Sequence, residues 1–112
     1  MAFSVTEPHC GSPAHRILLI HGELSLTDID RLQEVLDVPL AGQRVVVIGL
    51  EGCEFIDSMA LAALLRARDR LSEDGKRLVI AAPTGQVLRI LEITGLDLDG
   101  FLFDSVEQAL DD

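Results

Sequence analysis

Three short apolar segments limit this sequence to a small set of folds. They are residues 17–20, 45–48 and 78–81, and they are rich in Ile, Leu and Val. Such runs are too short for a buried helix and are typical of strands covered on both faces. Helix-like patterns separate them, joined by short polar connections. This alternation predicts an α/β domain with right-handed crossovers and a mainly parallel central sheet of four to five strands with about four helices.

Turn and cap residues give approximate bounds to the elements of one domain, residues 1–112. The predicted strands are residues 15–20, ended by Gly22, and residues 44–50, 77–82 and 101–103. The predicted helices begin at Thr27, Ser58, Thr84 and Asp104 or Ser105, and end near residues 38, 72, 95 and 110. Residues 1–14 form an N-terminal segment with a short strand at 2–6 and a turn at 8–13.

Charge and hydropathy exclude several classes of function. The 112 residues include 19 Asp and Glu but only 9 Lys and Arg, so the net charge is −10 and opposes binding to a phosphate backbone. The four aromatic residues are all Phe, which leaves little to stack on bases. No apolar run approaches the roughly 18 residues of a membrane helix, and the N-terminus lacks a secretory signal pattern. We therefore expect a cytoplasmic protein that neither binds nucleic acid nor inserts into membranes.

The cysteines and histidines do not predict a metal site or a disulfide. Cys10 and Cys53 are far apart in sequence and lack Cys-x-x-Cys spacing, so both are expected to remain thiols, with Cys53 partly accessible in a loop. A cluster of His9, Cys10, His15 and His21 has the wrong ligand spacing, because a strand would separate the last two by about 20 Å. No cofactor or metal is expected.

The candidate functional residue is Ser58, which follows Asp57 where a buried strand leads into a helix. Ser58 is predicted at the first turn or the N-cap, where free N–H groups and the helix dipole tolerate a phosphoryl group. A purely structural alternative makes Ser58 an N-cap and Asp57 a first-turn acid. Gly-x-Ser-x-Gly and nucleotide-binding glycine motifs are absent, so an enzyme is not predicted.

Three segments resemble a known family in order and spacing. Residues 55–61, Phe-Ile-Asp-Ser-Met-Ala-Leu, resemble the signature of STAS domains of the bacterial anti-sigma factor antagonist type, usually Asp-Ser-Ser/Thr-Gly-Leu. Residues 22–25, Gly-Glu-Leu-Ser, resemble that family's Gly-Glu-Leu-Asp, and residues 87–96 resemble its third helix and following turn. The resemblance that these segments carry extends over most of residues 15–111 and implies a STAS-like fold.

The resemblance implies a phosphorylation switch that regulates transcription. It assigns phosphorylation to Ser58 and partner binding to Asp57, Ser58, Met59, Glu23 and Ser25. The implied partners are an anti-sigma factor serine kinase, whose binding releases a sigma factor, and a phosphatase. Phosphorylation of Ser58 would end the interaction with the kinase.

Departures from the family pattern keep a second function open. Ser25 replaces the family's acidic residue, Met59 replaces its second hydroxyl residue, and Ala60 replaces Gly. Met59 leaves Ser58 as the one candidate hydroxyl of the motif. Ser25 favours the alternative of a constitutive STAS scaffold or accessory domain of a signalling assembly or transporter, in which Ser58 is only a helix cap.

Overall fold

The structure is a computed structural model that describes residues 3–9, 12–95 and 100–111. The strands in this part of the chain are β1 (Phe3–Thr6), β2 (His15–Leu24), β3 (Val45–Gly49), β4 (Cys53–Ile56), β5 (Arg77–Ala81) and β6 (Leu102–Phe103). The α-helices are α1 (Ile29–Leu36), α2 (Ser58–Glu73), α3 (Gly85–Ile93) and α4 (Val106–Asp111), and a 3-10 turn, Leu26–Asp28, precedes α1. Cys10 and Leu96, which belong to the predicted turn and the third resembling segment, lie outside the described residues.

All six strands join one mixed sheet with the order β1-β2-β3-β5-β6, and β4 pairs with β2. Only the β1–β2 pairing is antiparallel among these pairings. Strand β3 pairs with the first half of β2, while β4 pairs with its last residues, from Gly22 to Leu24. The three apolar runs are neighbours in the sheet, as predicted, and the α/β class with a mainly parallel sheet and four helices is confirmed.

The two faces of the sheet carry cores of different size. Helices α1, α2 and α3 bury Leu32, Leu64 and Leu91 in the larger core, which also takes Ile48 and Ile80 from the sheet. The opposite face has a smaller cluster, in which Ala109 of α4 joins residues of the central strands such as Val47. Since the helices at the larger core run back from the carboxyl ends of the strands, their N-termini gather at one edge of the sheet.

The region after residue 20 differs from the prediction. Gly22 has a φ of 99° but does not end β2, because the strand continues through it and pairs with β4, with a bulge where Gly22 is opposite Cys53 and Glu23 is opposite Phe55. The Gly22 N–H donates to the Gly52 carbonyl at 3.0 Å. The additional strand β4 brings the sheet to six strands instead of four to five. Cys53, predicted in a loop and partly accessible, is instead a buried residue of β4 with 1% exposure.

The first predicted helix is shorter than expected. The segment from Leu26 to Asp28 is a 3-10 turn, and α1 begins only at Ile29 and ends at Leu36. Thr27 is therefore not an α-helical N-cap. Thr84 does occupy the N-cap position of α3, and α2 begins at Ser58 as predicted.

Candidate functional site

The candidate site lies at the edge of the sheet where β2 and β4 end and α2 begins. The two strands are parallel, with Leu24 opposite Ile56, so the segments that follow them leave the sheet side by side. Strand β2 leads through Ser25 into the 3-10 turn, and β4 leads through Asp57 into α2. This pairing brings residues from the two sequence motifs together although they are about thirty positions apart.

Asp57 is the N-cap of α2. Its backbone is extended, and its Oδ1 accepts the Ala60 N–H at 2.9 Å, which satisfies one of the free donors of the first helical turn. Ser58 is the first helical residue and is exposed. The interpretation of Ser58 as an N-cap and Asp57 as a first-turn acid is therefore wrong. The physical reason is that the carboxylate of Asp57 already occupies the capping position, which leaves the Ser58 hydroxyl facing solvent without a capping role.

The other oxygen of the Asp57 carboxylate holds the neighbouring loop. Oδ2 accepts the Leu26 N–H at 2.7 Å, while the Asp57 N–H donates to the Leu24 carbonyl at 3.1 Å. One side chain thus binds the N-terminus of α2 and the start of the 3-10 turn together. We call this pair of carboxylate hydrogen bonds, from Asp57 to Ala60 and Leu26, the Asp57 bridge. It fixes the position of the β2 end relative to Ser58.

Ser25 is half-buried and hydrogen-bonded within its own turn. Its hydroxyl lies 3.2 Å from Oδ2 of Asp28 and 2.9 Å from Oγ1 of Thr27, and its N–H donates to the same Asp28 oxygen at 3.3 Å. Asp28 is 8% exposed. A carboxylate is therefore present beside Ser25, although it belongs to Asp28, three residues after the position where the resembling family carries its acidic side chain.

Glu23 and Met59 lie on the exposed surface of the same edge. Glu23 is exposed and stands opposite Phe55 in the β2–β4 pairing, and Met59 is 48% exposed in the first turn of α2. The structure thus brings all five predicted site residues to one end of the domain, with Asp57 in contact with the turn that begins at Ser25. What each contributes to partner binding remains a prediction.

Two residues of the site were not predicted from the sequence. Leu26 is 60% exposed and is held by the Asp57 bridge, and Gln86 of α3 supports β4 from its free side. The Gln86 Oε1 accepts the Ile56 N–H and its Nε2 donates to the Ile56 carbonyl, both at 3.0 Å. Gln86 therefore substitutes for a neighbouring strand immediately before Asp57. Neither residue carries a sequence signal, because both contacts join segments distant along the chain.

Three features of the described residues bear on other classes of function: the arrangement of metal-ligating side chains, the reactivity of the thiol and the hydrophobicity of the helices. No group of three or more His, Cys, Asp or Glu side chains is arranged as a metal site in the ranges that the structure covers. Burial raises the pKa of the Cys53 thiol, so the unreactive protonated form dominates at neutral pH. None of the helices in the described ranges has the length and hydrophobicity that a bilayer crossing requires.

Comparison with known proteins agrees with this geometry. The family model described as STAS domain matches residues 9–109, nearly the whole chain. The chain belongs to the STAS family. A curated relative, the anti-sigma-B factor antagonist of Staphylococcus aureus (strain NCTC 8325 / PS 47), is 32% identical over 79 residues, which cover 69% of this chain and 72% of the relative.

Solved STAS structures share the fold at low sequence identity. An anti-sigma factor antagonist from Mycobacterium paratuberculosis has a TM-score of 0.83 at 20% identity, covering 98% of this chain and 92% of that one. The Bacillus cell fate determinant SpoIIAA in its phosphorylated form has a TM-score of 0.71 at 16% identity, covering 98% of this chain and 97% of that one. These similarities confirm the predicted STAS fold.

Proposed function

We propose that this STAS protein is an anti-sigma factor antagonist that binds an anti-sigma factor kinase, releases a sigma factor, and is switched off by phosphorylation of Ser58. The observation that carries the proposal is the position of Ser58. It is exposed at the first residue of α2, and Asp57 performs the capping, so its hydroxyl is accessible to a kinase. The name of the Staphylococcus aureus relative supports the antagonist function.

The physics of the helix N-terminus supports a switch that leaves the fold intact. Free N–H groups and the positive end of the helix dipole stabilise a phosphoryl group there. The same phosphoryl group adds about −1.5 to −2 charges beside Asp57 and Glu54, in a surface that loses water when a partner binds. Phosphorylation therefore weakens partner binding without unfolding the domain. A phosphatase is needed to restore the binding form.

The alternative of a constitutive scaffold or transporter accessory domain is not favoured. That alternative required Ser58 to be a helix cap, and the cap is Asp57. It also drew on the missing acid at Ser25, yet Asp28 places a carboxylate oxygen 3.2 Å from the Ser25 hydroxyl.

The experiment that tests this proposal is phosphorylation in vitro with intact-mass detection. The purified protein is incubated with Mg-ATP and, in turn, with each purified anti-sigma serine kinase encoded in the same genome. We expect one phosphate on the wild type and none on Ser58→Ala. The controls Ser25→Ala and Thr27→Ala, which change neighbouring hydroxyls, should still gain one phosphate. Phosphate on another residue, or no phosphate with any of the kinases, would contradict the proposal.

A further inference from the structure

Exposed apolar side chains are concentrated around Ser58. In the described ranges, the large apolar residues that are substantially exposed are Leu26 (60%), Val38 (47%), Phe55 (39%), Met59 (48%) and Ile93 (76%). Three of these five adjoin Asp57, because Leu26 is hydrogen-bonded to it and the other two are Phe55 and Met59, two positions away on either side. We call Leu26, Phe55 and Met59 the apolar trio.

The trio is held in place although its side chains are exposed. The Asp57 bridge fixes the backbone of Leu26, the β2–β4 pairing fixes Phe55, and the first turn of α2 fixes Met59. Exposed apolar residues that cluster on a rigid frame are typical of interaction sites, because little backbone freedom is lost when they bind. By contrast, Val38 follows the end of α1, and Ile93 is the last residue of α3.

Acidic residues adjoin the trio in the segments at this edge, and most of the positive charge lies at the other end of the domain. Glu23, Glu51, Glu54 and Asp57 all belong to the segments at the Ser58 edge. Six of the nine Lys and Arg residues, all within the described ranges, lie where the parallel strands begin or where α2 ends: Arg16, Arg44, Arg68, Arg70, Lys76 and Arg77. The two ends are separated by the 16 residues of α2, about 24 Å. This exceeds the Debye length of about 8 Å, so the basic end does not neutralise the acidic edge.

We propose that the apolar trio forms the anchors that this protein inserts into an apolar pocket of its partner kinase, and that the rim of this pocket carries Lys and Arg. The inference rests on the antagonist function proposed above. The chemistry of the partner follows from complementarity, since an apolar patch beside carboxylates fits an apolar depression beside cations. Buried apolar anchors mainly set the dissociation rate, whereas peripheral charges mainly set the association rate.

This arrangement explains how a negative phosphate weakens binding to a basic partner. Ser58 lies between Asp57 and Met59, next to an anchor and to one carboxylate of the acidic edge. The basic rim attracts the phosphorylated protein from a distance, but docking would transfer the phosphate towards an apolar pocket that cannot solvate it. The phosphorylated protein is therefore expected to associate at least as fast as the unmodified protein and to dissociate much faster.

The test measures association and dissociation rates separately, with each purified, nucleotide-free anti-sigma serine kinase of the same genome immobilised in turn. We expect Leu26→Ser and Met59→Ser to dissociate about tenfold faster than wild type, with similar association rates. Leu26→Ser leaves the backbone N–H of the Asp57 bridge in place. The matched control is Val38→Ser, which changes a comparably exposed side chain beside Arg70 and Lys76, and it should match wild type within about twofold.

A charge variant completes the design. Glu54→Gln should slow association at low salt and leave dissociation nearly unchanged, with the difference vanishing at high salt. If wild type binds and the trio variants dissociate no faster than Val38→Ser, the anchor inference is wrong and the antagonist function stands. A Glu54→Gln effect on dissociation alone would also overturn the inference. If wild type binds none of the kinases, the proposed function fails, and the inference fails with it.

Discussion

The Asp57 bridge leads to a prediction about both stability and local order. Asp57→Ala removes two hydrogen bonds, the cap to the Ala60 N–H at 2.9 Å and the contact to the Leu26 N–H at 2.7 Å. Loss of an N-cap costs about 1 kcal/mol, and the second hydrogen bond contributes about 1 kcal/mol at this half-exposed site, where water replaces part of it. The total of about 2 kcal/mol corresponds to a decrease in Tm of about 8 °C for a domain of this size.

A second variant separates the cap from the loop contact. Asp57→Ser keeps a good N-cap residue, but its single hydroxyl cannot bind both segments. We expect the decrease in Tm caused by Asp57→Ser to be about half of the decrease caused by Asp57→Ala. The assay is thermal unfolding combined with amide hydrogen exchange by NMR. In Asp57→Ala the Leu26 and Ala60 amides should both exchange faster, while in Asp57→Ser the Ala60 amide should remain protected and the Leu26 amide should not.

The reasoning would be refuted by an Asp57→Ala variant with unchanged Tm and an unchanged exchange rate at Leu26. That result would mean that the end of β2 keeps its position beside Ser58 without the carboxylate, through strand pairing alone.

Three further predictions concern the rest of the fold. Val47→Asp places an unpaired carboxylate at a position with 0% exposure and should abolish cooperative unfolding, because its cost is comparable to the whole stability of about 5–15 kcal/mol; Val47→Ala is the control that should still fold. Gln86→Ala removes both contacts to Ile56 and should lower stability by about 1–2 kcal/mol, with Gln86→Glu intermediate because it keeps only an acceptor; identical melting of all three would contradict this role. In a Cys10→Ser background, Cys53 should react with iodoacetamide only as fast as the domain opens. Rapid labelling of the native protein at neutral pH would show that the thiol is accessible. Because the pKa of Cys53 is raised in the folded protein, the contribution of this thiol to stability is complete below the ordinary thiol pKa and is lost as pH rises through the folded pKa.

The strands that the sequence predicted well are those buried on both faces. Their runs of Ile, Leu and Val, such as residues 45–48, leave an apolar signature that no helix of ordinary amphipathicity produces. Strand β4 lacks this signature, since Cys53 and Ile56 are buried while Glu54 and Phe55 are exposed. A bulge in the pairing with β2 breaks the alternation there, so a four-residue strand was missed.

The candidate site was predicted only as far as a local motif extends. The position of Ser58 follows from a strand that leads into a helix, and its neighbours in the motif follow with it. The choice between Asp57 and Ser58 as the cap depends on backbone conformation, which the residue types alone do not decide because both are good caps. The contact from Asp57 to Leu26 joins residues 31 positions apart, so only the parallel pairing of β2 and β4 brings it about.

The central claim is that phosphorylation of Ser58 ends partner binding without unfolding the protein. The most direct measurement is the affinity for the cognate anti-sigma kinase of protein phosphorylated at Ser58 and of unmodified protein, with Tm recorded for both. We expect the phosphorylated form to bind at least about tenfold more weakly, with its dissociation rate increased, and to unfold cooperatively within a few degrees of the unmodified form. Equal affinities of two folded forms would contradict the claim, as would a loss of binding accompanied by unfolding.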